Sequence, residues 1–206
     1  MADAGPSARN DLWVFGYGSL MWRPGFDFVG RYRATLTGYH RSLCVFSHVH
    51  RGTPEVPGLV LGLDRGGRCR GVAFRVAETE ADATLAYLRA REQVTAVYLE
   101  RRARVRLETG ETVTAVTYVA DRTHPQYAGR LSPDDLLRIV KQGRGISGAN
   151  PDYVQATHHQ LAEIGVSDPI LAGIAARLAE DAADQPPEPT RSSKTARRSA
   201  SVSASR

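Results

Sequence analysis

The chain is short of the residues that would place it in an oxidising compartment or in a membrane. It carries two cysteines in 206 residues, Cys44 and Cys69. They lie far apart and match no metal or redox spacing, which excludes a disulfide framework and makes reduced thiols and a cytoplasmic location the expectation. No apolar run approaches the ~18–20 residues of a membrane span, so no membrane partner is expected. The opening Met1-Ala2-Asp3-Ala4-Gly5-Pro6 has no basic-then-apolar order, and a secretory signal is not expected either. A Gly-x-x-x-x-Gly-Lys-Ser/Thr loop is missing, and the glycines at 16 and 18 do not extend to Gly-x-Gly-x-x-Gly, so a nucleotide is not indicated. Gly18-Ser19-Leu20-Met21 lacks the second glycine of a serine nucleophile elbow. His48-x-His50 and His158-His159 have no companion ligands at a telling spacing, so no metal is expected.

What the chain does have is apolar content and a lopsided charge. Hydrophobic residues make up 42%, enough for one domain of ordinary size with a core. The formal net charge is +5, which raises nucleic acid as a partner. The position of the charge argues against it. Arg191, Lys194, Arg197, Arg198 and Arg206 stand in a stretch without acidic residues, and the remaining basic and acidic residues are equal in number. No nucleic-acid partner is therefore expected. Residues 1–10 read as a loose leader, 11–184 as the domain, and 185–206 as a Pro/Ser/Arg tail with too little apolar surface to fold.

The first two-thirds of the body read as strands, over residues 12–16, 36–47, 59–63, 71–76, 103–107 and 113–119. Arg102-Arg104-Arg106 alternating with Ala103-Val105-Leu107 is a half-buried strand pattern, and Thr109-Gly110 turns it into a hairpin. Helices carry end signals. Thr79 with Asp82 resembles a capping box for a helix running to about Gln93. Ser132-Pro133, Asn150-Pro151-Asp152 and Ser167-Asp168-Pro169 open three more, the first ending near Gly143 and the second at Gly165. Short strands with helices at intervals and no βαβ alternation give an α+β class, and a curled or closed sheet with helices outside is the preferred architecture.

Two features can carry chemistry. Phe15-Gly16-Tyr17-Gly18-Ser19-Leu20 follows a strand and reads as a tight glycine turn. Such a turn can be an ordinary strand end, or it can point backbone N–H groups at an anion or a developing oxyanion. The second feature is the stripe Ala81, Leu85, Leu88, Glu92, spaced by four, three and four along one helix face. Glu92 is either a solvated residue at a helix end or an inward carboxylate. In the inward case, burial and the negative end of the helix both raise its pKa, which suits general acid/base work. Glu78 and Glu100 have no such placement and are expected to tolerate substitution.

Four ordered blocks resemble the glutathione-specific gamma-glutamylcyclotransferases, the ChaC-like family. They are Val14-Phe15-Gly16-Tyr17-Gly18-Ser19-Leu20-Met21-Trp22; His50-Arg51-Gly52-Thr53-Pro54 with Pro57-Gly58; Tyr87-Leu88 through Arg91-Glu92; and Ser147-Gly148-Ala149-Asn150-Pro151-Asp152-Tyr153. The resemblance implies a small closed β-barrel with flanking α-helices. It implies conversion of glutathione to 5-oxoproline and cysteinylglycine without metal or cofactor. It places the catalytic glutamate at Glu92 and the substrate-holding loop at Gly16, Tyr17, Gly18, Ser19, Leu20 and Met21, with Tyr153 as a further substrate contact. Other γ-glutamyl amino acids or amines, and a non-enzymatic binding module on the same fold, are the alternatives.

Overall fold

The computed structural model describes residues 10–92 and 96–183; the leader up to residue 9, the segment 93–95 and the tail from 184 lie outside the described residues. Five strands make a closed barrel: β1 (Leu12–Gly16), β2 (Gly30–Ser47), β3 (Gly58–Val76), β4 (Tyr98–Leu107) and β5 (Thr112–Ala120), in the order β1-β3-β2-β4-β5. Their pairings are antiparallel except the closure, where β1 meets β5 in parallel at Val14 and Val116. Closure leaves no full-length edge strand for stray pairing. The alternation read in residues 102–107 holds: Val105 and Leu107 are buried and Arg102, Arg104 and Arg106 are exposed.

The sheet differs from expectation in strand length. Residues 59–63 and 71–76 are two ends of one strand, β3, not two strands. The intervening Arg65-Gly66-Gly67-Arg68 reads as a turn because it is polar and glycine-rich. Both glycines do take positive φ, 97° and 72°, but they lie beside a register shift between Thr37 and Tyr39 of β2, and pairing resumes on the far side. A bulge absorbs the glycines and the strand pair continues.

Four helices flank the barrel: α1 (Ala81–Glu92), α2 (Pro133–Gln142), α3 (Asn150–Glu163) and α4 (Pro169–Ala183). The last three pack on one another, and α2 also lies on β3. Their buried faces join the barrel interior in one core that includes Leu88, Leu137, Val140, Leu161 and Leu171. Ser132 caps α2 by accepting from the Asp135 N–H at 3.1 Å, and Asp168 caps α4 by accepting from the Leu171 N–H at 3.1 Å. The box expected at Thr79 does not form. Residues Glu78–Glu80 make a 3-10 turn and α1 starts only at Ala81, so Thr79 lies inside that turn. Asn150 is likewise not a cap: it is the first residue of α3, and its side chain is used elsewhere. A two-residue hairpin, β6 (Arg144–Gly145) with β7 (Gly148–Ala149), links α2 to α3.

Candidate active site

The site grows from the end of β1. Gly16 closes the strand, and residues Ser19–Met21 make a single 3-10 turn. Within it the Met21 N–H donates to the Gly18 carbonyl at 2.8 Å and the Arg23 N–H to the Ser19 carbonyl at 2.8 Å. The N–H groups of Gly18, Ser19 and Leu20 have no hydrogen-bond partner among the described residues. They are the unspent donors expected at the start of a helical turn. The turn is anchored from below. Buried Arg41 donates from Nε to the Tyr17 carbonyl at 2.6 Å and from Nη2 to the Arg70 carbonyl at 2.7 Å, and Asp168 faces it at 3.5 Å.

Not every residue of the turn can face a ligand. The side chains of Leu20 and Met21 are buried in the core. Met21 also uses its N–H within the turn, and its carbonyl accepts from Arg31 Nη2 at 3.3 Å. Ser19 keeps its N–H, and its hydroxyl accepts from Arg91 Nη2 at 2.9 Å.

Glu92 is the last residue of α1. The stripe expected from its spacing is present: Leu88 is fully buried and Ala81 and Leu85 pack against the core. The Glu92 side chain is 19% exposed and lies 3.2 Å from Arg91 Nε. Burial raises its carboxyl pKa above the ordinary value, and the Arg91 charge opposes that only in part. Four tyrosines stand in its field. Burial holds the phenols of Tyr17, Tyr98, Tyr118 and Tyr153 above their usual range, and the charge of Glu92 adds to the effect on each. Glu92, the turn and Tyr153 therefore come together, although they are far apart in sequence.

Tyr153 and Tyr98 also complete a strand edge. Over its first residues β3 has no β1 partner, because β1 pairs only with Val72–Val76. Side chains finish that edge instead. Asn150 accepts from the Leu59 N–H at 2.7 Å and donates to the Leu59 carbonyl at 2.8 Å. Two residues on, Tyr153 Oη accepts from the Leu61 N–H at 3.2 Å and Tyr98 Oη donates to the Leu61 carbonyl at 2.7 Å. Buried backbone groups need such partners. The second and fourth sequence blocks meet here as support. Arg51 donates from Nη1 to the Ala149 carbonyl at 3.1 Å, and its guanidinium lies 5.3 Å from the centre of the Tyr153 ring. His50 pairs with Ser147 at 2.9 Å.

A match to a family model described as "ChaC-like protein" covers residues 12–180. The chain belongs to the ChaC-like family. Among curated relatives of this ChaC-like protein, it is 34% identical to a glutathione-specific gamma-glutamylcyclotransferase of Escherichia coli strain K12, covering 88% of this chain and 78% of the relative. It is 33% identical to human glutathione-specific gamma-glutamylcyclotransferase 1, covering 82% of each. Its fold matches a crystal structure of the yeast gamma-glutamylcyclotransferase specific to glutathione with a TM-score of 0.74 at 20% identity, over 84% of this chain and 97% of that one. The expected closed barrel with flanking helices is thus the fold of this protein.

Several polar residues around the site went unread in the sequence. Tyr98, Arg41 and the edge-pairing role of Asn150 gave no periodic signal. Arg91 gave one: with Tyr87 it forms an i,i+4 pair, and Tyr87 Oη does accept from Arg91 Nη1 at 2.9 Å. Glu100, expected to tolerate substitution, is held by neighbours: Arg89 grips it from Nε and Nη2 at 2.8 and 2.9 Å and Tyr118 Oη donates to it at 3.2 Å. Its pKa is lowered, first by Arg89. No three His, Cys, Asp or Glu side chains among the described residues form a group able to hold a metal ion. No described helix is long and apolar enough to cross a membrane.

Proposed function

We propose that this ChaC-like protein cleaves glutathione to 5-oxoproline and cysteinylglycine, with Glu92 as the general acid/base. The observation that carries this reading is a half-buried carboxylate at the end of α1, its pKa raised by burial, tied through Arg91 to a turn with unspent N–H groups. The names of its relatives supply the substrate.

The reaction is an intramolecular aminolysis. The α-amine of the γ-glutamyl group attacks its own γ-carbonyl carbon. A C–N bond forms, closing a five-membered lactam, and the C–N bond to the cysteinyl nitrogen breaks. A free α-amine has a pKa near ~8 and is largely ammonium at neutral pH. The negative end of α1 and the Glu92 carboxylate favour that cation at the base, where its proton can be removed. The attacking nitrogen loses two protons on its way from ammonium to lactam N–H. Glu92 relays them in turn to the departing nitrogen, which leaves as the ammonium of cysteinylglycine, so no net proton or water is consumed. The N–H groups of Gly18, Ser19 and Leu20 face the negative charge of the γ-glutamyl group, whether carboxylate or oxyanion. Met21 supports the turn through packing, and Tyr153 lies beside the base as a substrate contact.

Incubation with glutathione and detection of 5-oxoproline and cysteinylglycine tests the reading, with γ-glutamyl-alanine as the competing substrate. Glu92→Gln is expected to fold and to lose nearly all turnover. Full activity in that variant overturns the assignment of the base.

A further inference from the structure

We propose that Arg91 is the positioning residue of this site: one guanidinium fixes the turn that follows β1 against the last turn of α1, and so sets the base relative to the donors it works with. This rests on the reading of Glu92 above. The geometry is convergent. Arg91 reaches five acceptors: Nη1 donates to the Arg23 carbonyl at 2.8 Å, the Pro24 carbonyl at 3.2 Å and Tyr87 Oη at 2.9 Å, Nη2 to Ser19 Oγ at 2.9 Å, while Nε faces Glu92 Oε1 at 3.2 Å. Three of those acceptors belong to residues Ser19, Arg23 and Pro24, which carry the turn into the next loop. The other two lie on α1. Only a planar fork can reach both sets together, and a lysine presents one point charge.

The surroundings leave Arg91 little freedom. Gly25 follows directly, with φ of 75°, and a methyl group there would collide with the Tyr87 hydroxyl. Tyr87 is therefore held against the loop by a residue without a side chain, and Arg91 is held against Tyr87, its guanidinium 6.0 Å from the ring centre. The anchor on the far side of the turn is Arg41, through the Tyr17 carbonyl. Two arginines thus grip the same turn from opposite ends, one in the core and one at the site.

The inference predicts a specific kinetic pattern. Arg91→Lys keeps the charge and loses the fork. A misplacement of about 1 Å between reacting groups costs about 100-fold in rate, and the loss is expected in kcat more than in KM. Arg91→Ala loses the charge as well. Its acid limb in kcat/KM moves to higher pH, because Glu92 then keeps its proton without an opposing cation, whereas the limb of Arg91→Lys stays in place. The other groups facing Glu92 are the phenols of Tyr17 on the turn, Tyr98 on β4, Tyr118 on β5 and Tyr153 on α3. All stay neutral through that limb.

The test combines 5-oxoproline release across pH with amide hydrogen exchange, both on the full chain. In the Arg91 variants the N–H groups of Met21 and Arg23 are expected to exchange faster while the β1–β3 ladder keeps its protection. Wild-type kcat and acid limb in a folded Arg91→Ala variant overturn the proposal. So does a loss of kcat with unchanged exchange at the turn, since Arg91 then acts on charge alone. If Arg91→Ala does not fold, Arg91→Lys decides by the same two readouts. If the wild-type chain releases no 5-oxoproline from any γ-glutamyl compound, the functional reading fails, and exchange alone still decides whether Arg91 clamps the turn.

Discussion

Replacing Glu92 by glutamine should inactivate the protein and, once pH rises past the ordinary glutamate range, stabilise it. The folded-state pKa of Glu92 is raised, chiefly by burial, and the upward direction already includes the attraction of Arg91. In the unfolded chain a glutamate titrates near ~4.3. Below that value both states hold the proton, and Glu92 does not weaken the fold. As pH rises past it, the unfolded chain ionises first, and the folded state binds more protons than the unfolded one. Stability then falls with pH until the folded pKa is passed, and stays lower above it. The glutamine variant has nothing to ionise at this position and escapes the loss. Each tenfold weakening of the acid corresponds to about 1.4 kcal/mol, or roughly 3–5 °C in Tm for a domain of this size.

The assay is thermal unfolding of wild type and Glu92→Gln from pH 4 to 8, read as the difference in Tm. Other titrating carboxylates cancel in that difference. Asp64, for example, is pushed up by burial but held below its usual range by Arg122, Tyr127 and the Arg65 N–H, identically in both proteins. The lost pair with Arg91 forms only when Glu92 is ionised and is already contained in the net upward direction. The difference should therefore grow in favour of the variant as pH rises, then level off. Turnover falls by about 100- to 10,000-fold in the same protein, the usual contribution of a general base. A difference in Tm that is flat, or that declines with rising pH, refutes the reasoning. A carboxylate whose removal leaves pH-dependent stability unchanged is not a desolvated one.

Other substitutions test the scaffold. Asn150→Leu strands the Leu59 N–H and carbonyl at a fully buried position, and a loss of about 2–4 kcal/mol is expected in urea unfolding. Gly25→Ala should displace Tyr87 and slow 5-oxoproline release, while Gly38→Ala, also at positive φ but facing open space, should lower Tm without changing the rate. Glu100→Gln should lower Tm by thermal unfolding, whereas Glu78→Gln, at an exposed position whose partner is Asn10, should not.

The legible parts of this molecule were those governed by one local rule. The Arg/apolar alternation of residues 102–107 declared a half-buried strand because a sheet has a period of two. The spacing from Ala81 to Glu92 put a carboxylate on a buried face because a helix has a period of 3.6. The illegible parts depended on partners distant in sequence. Gly66-Gly67 looks the same in a turn and in a bulge, and only the register of β2 distinguishes them. Asn150 before proline carries a cap signal, yet its amide is drawn to Leu59, ninety-one residues away, because β1 is too short to cover the start of β3. The short first strand is the common cause. By ending at Gly16 it frees the backbone to turn toward Glu92, and it leaves open the edge that Asn150, Tyr98 and Tyr153 must complete. Tyr98 and Tyr153 thus have a structural task whatever else they do. A Tyr153→Phe variant should lose stability through the unpaired Leu61 N–H as well as any contact made to substrate, and urea unfolding beside KM separates the two effects.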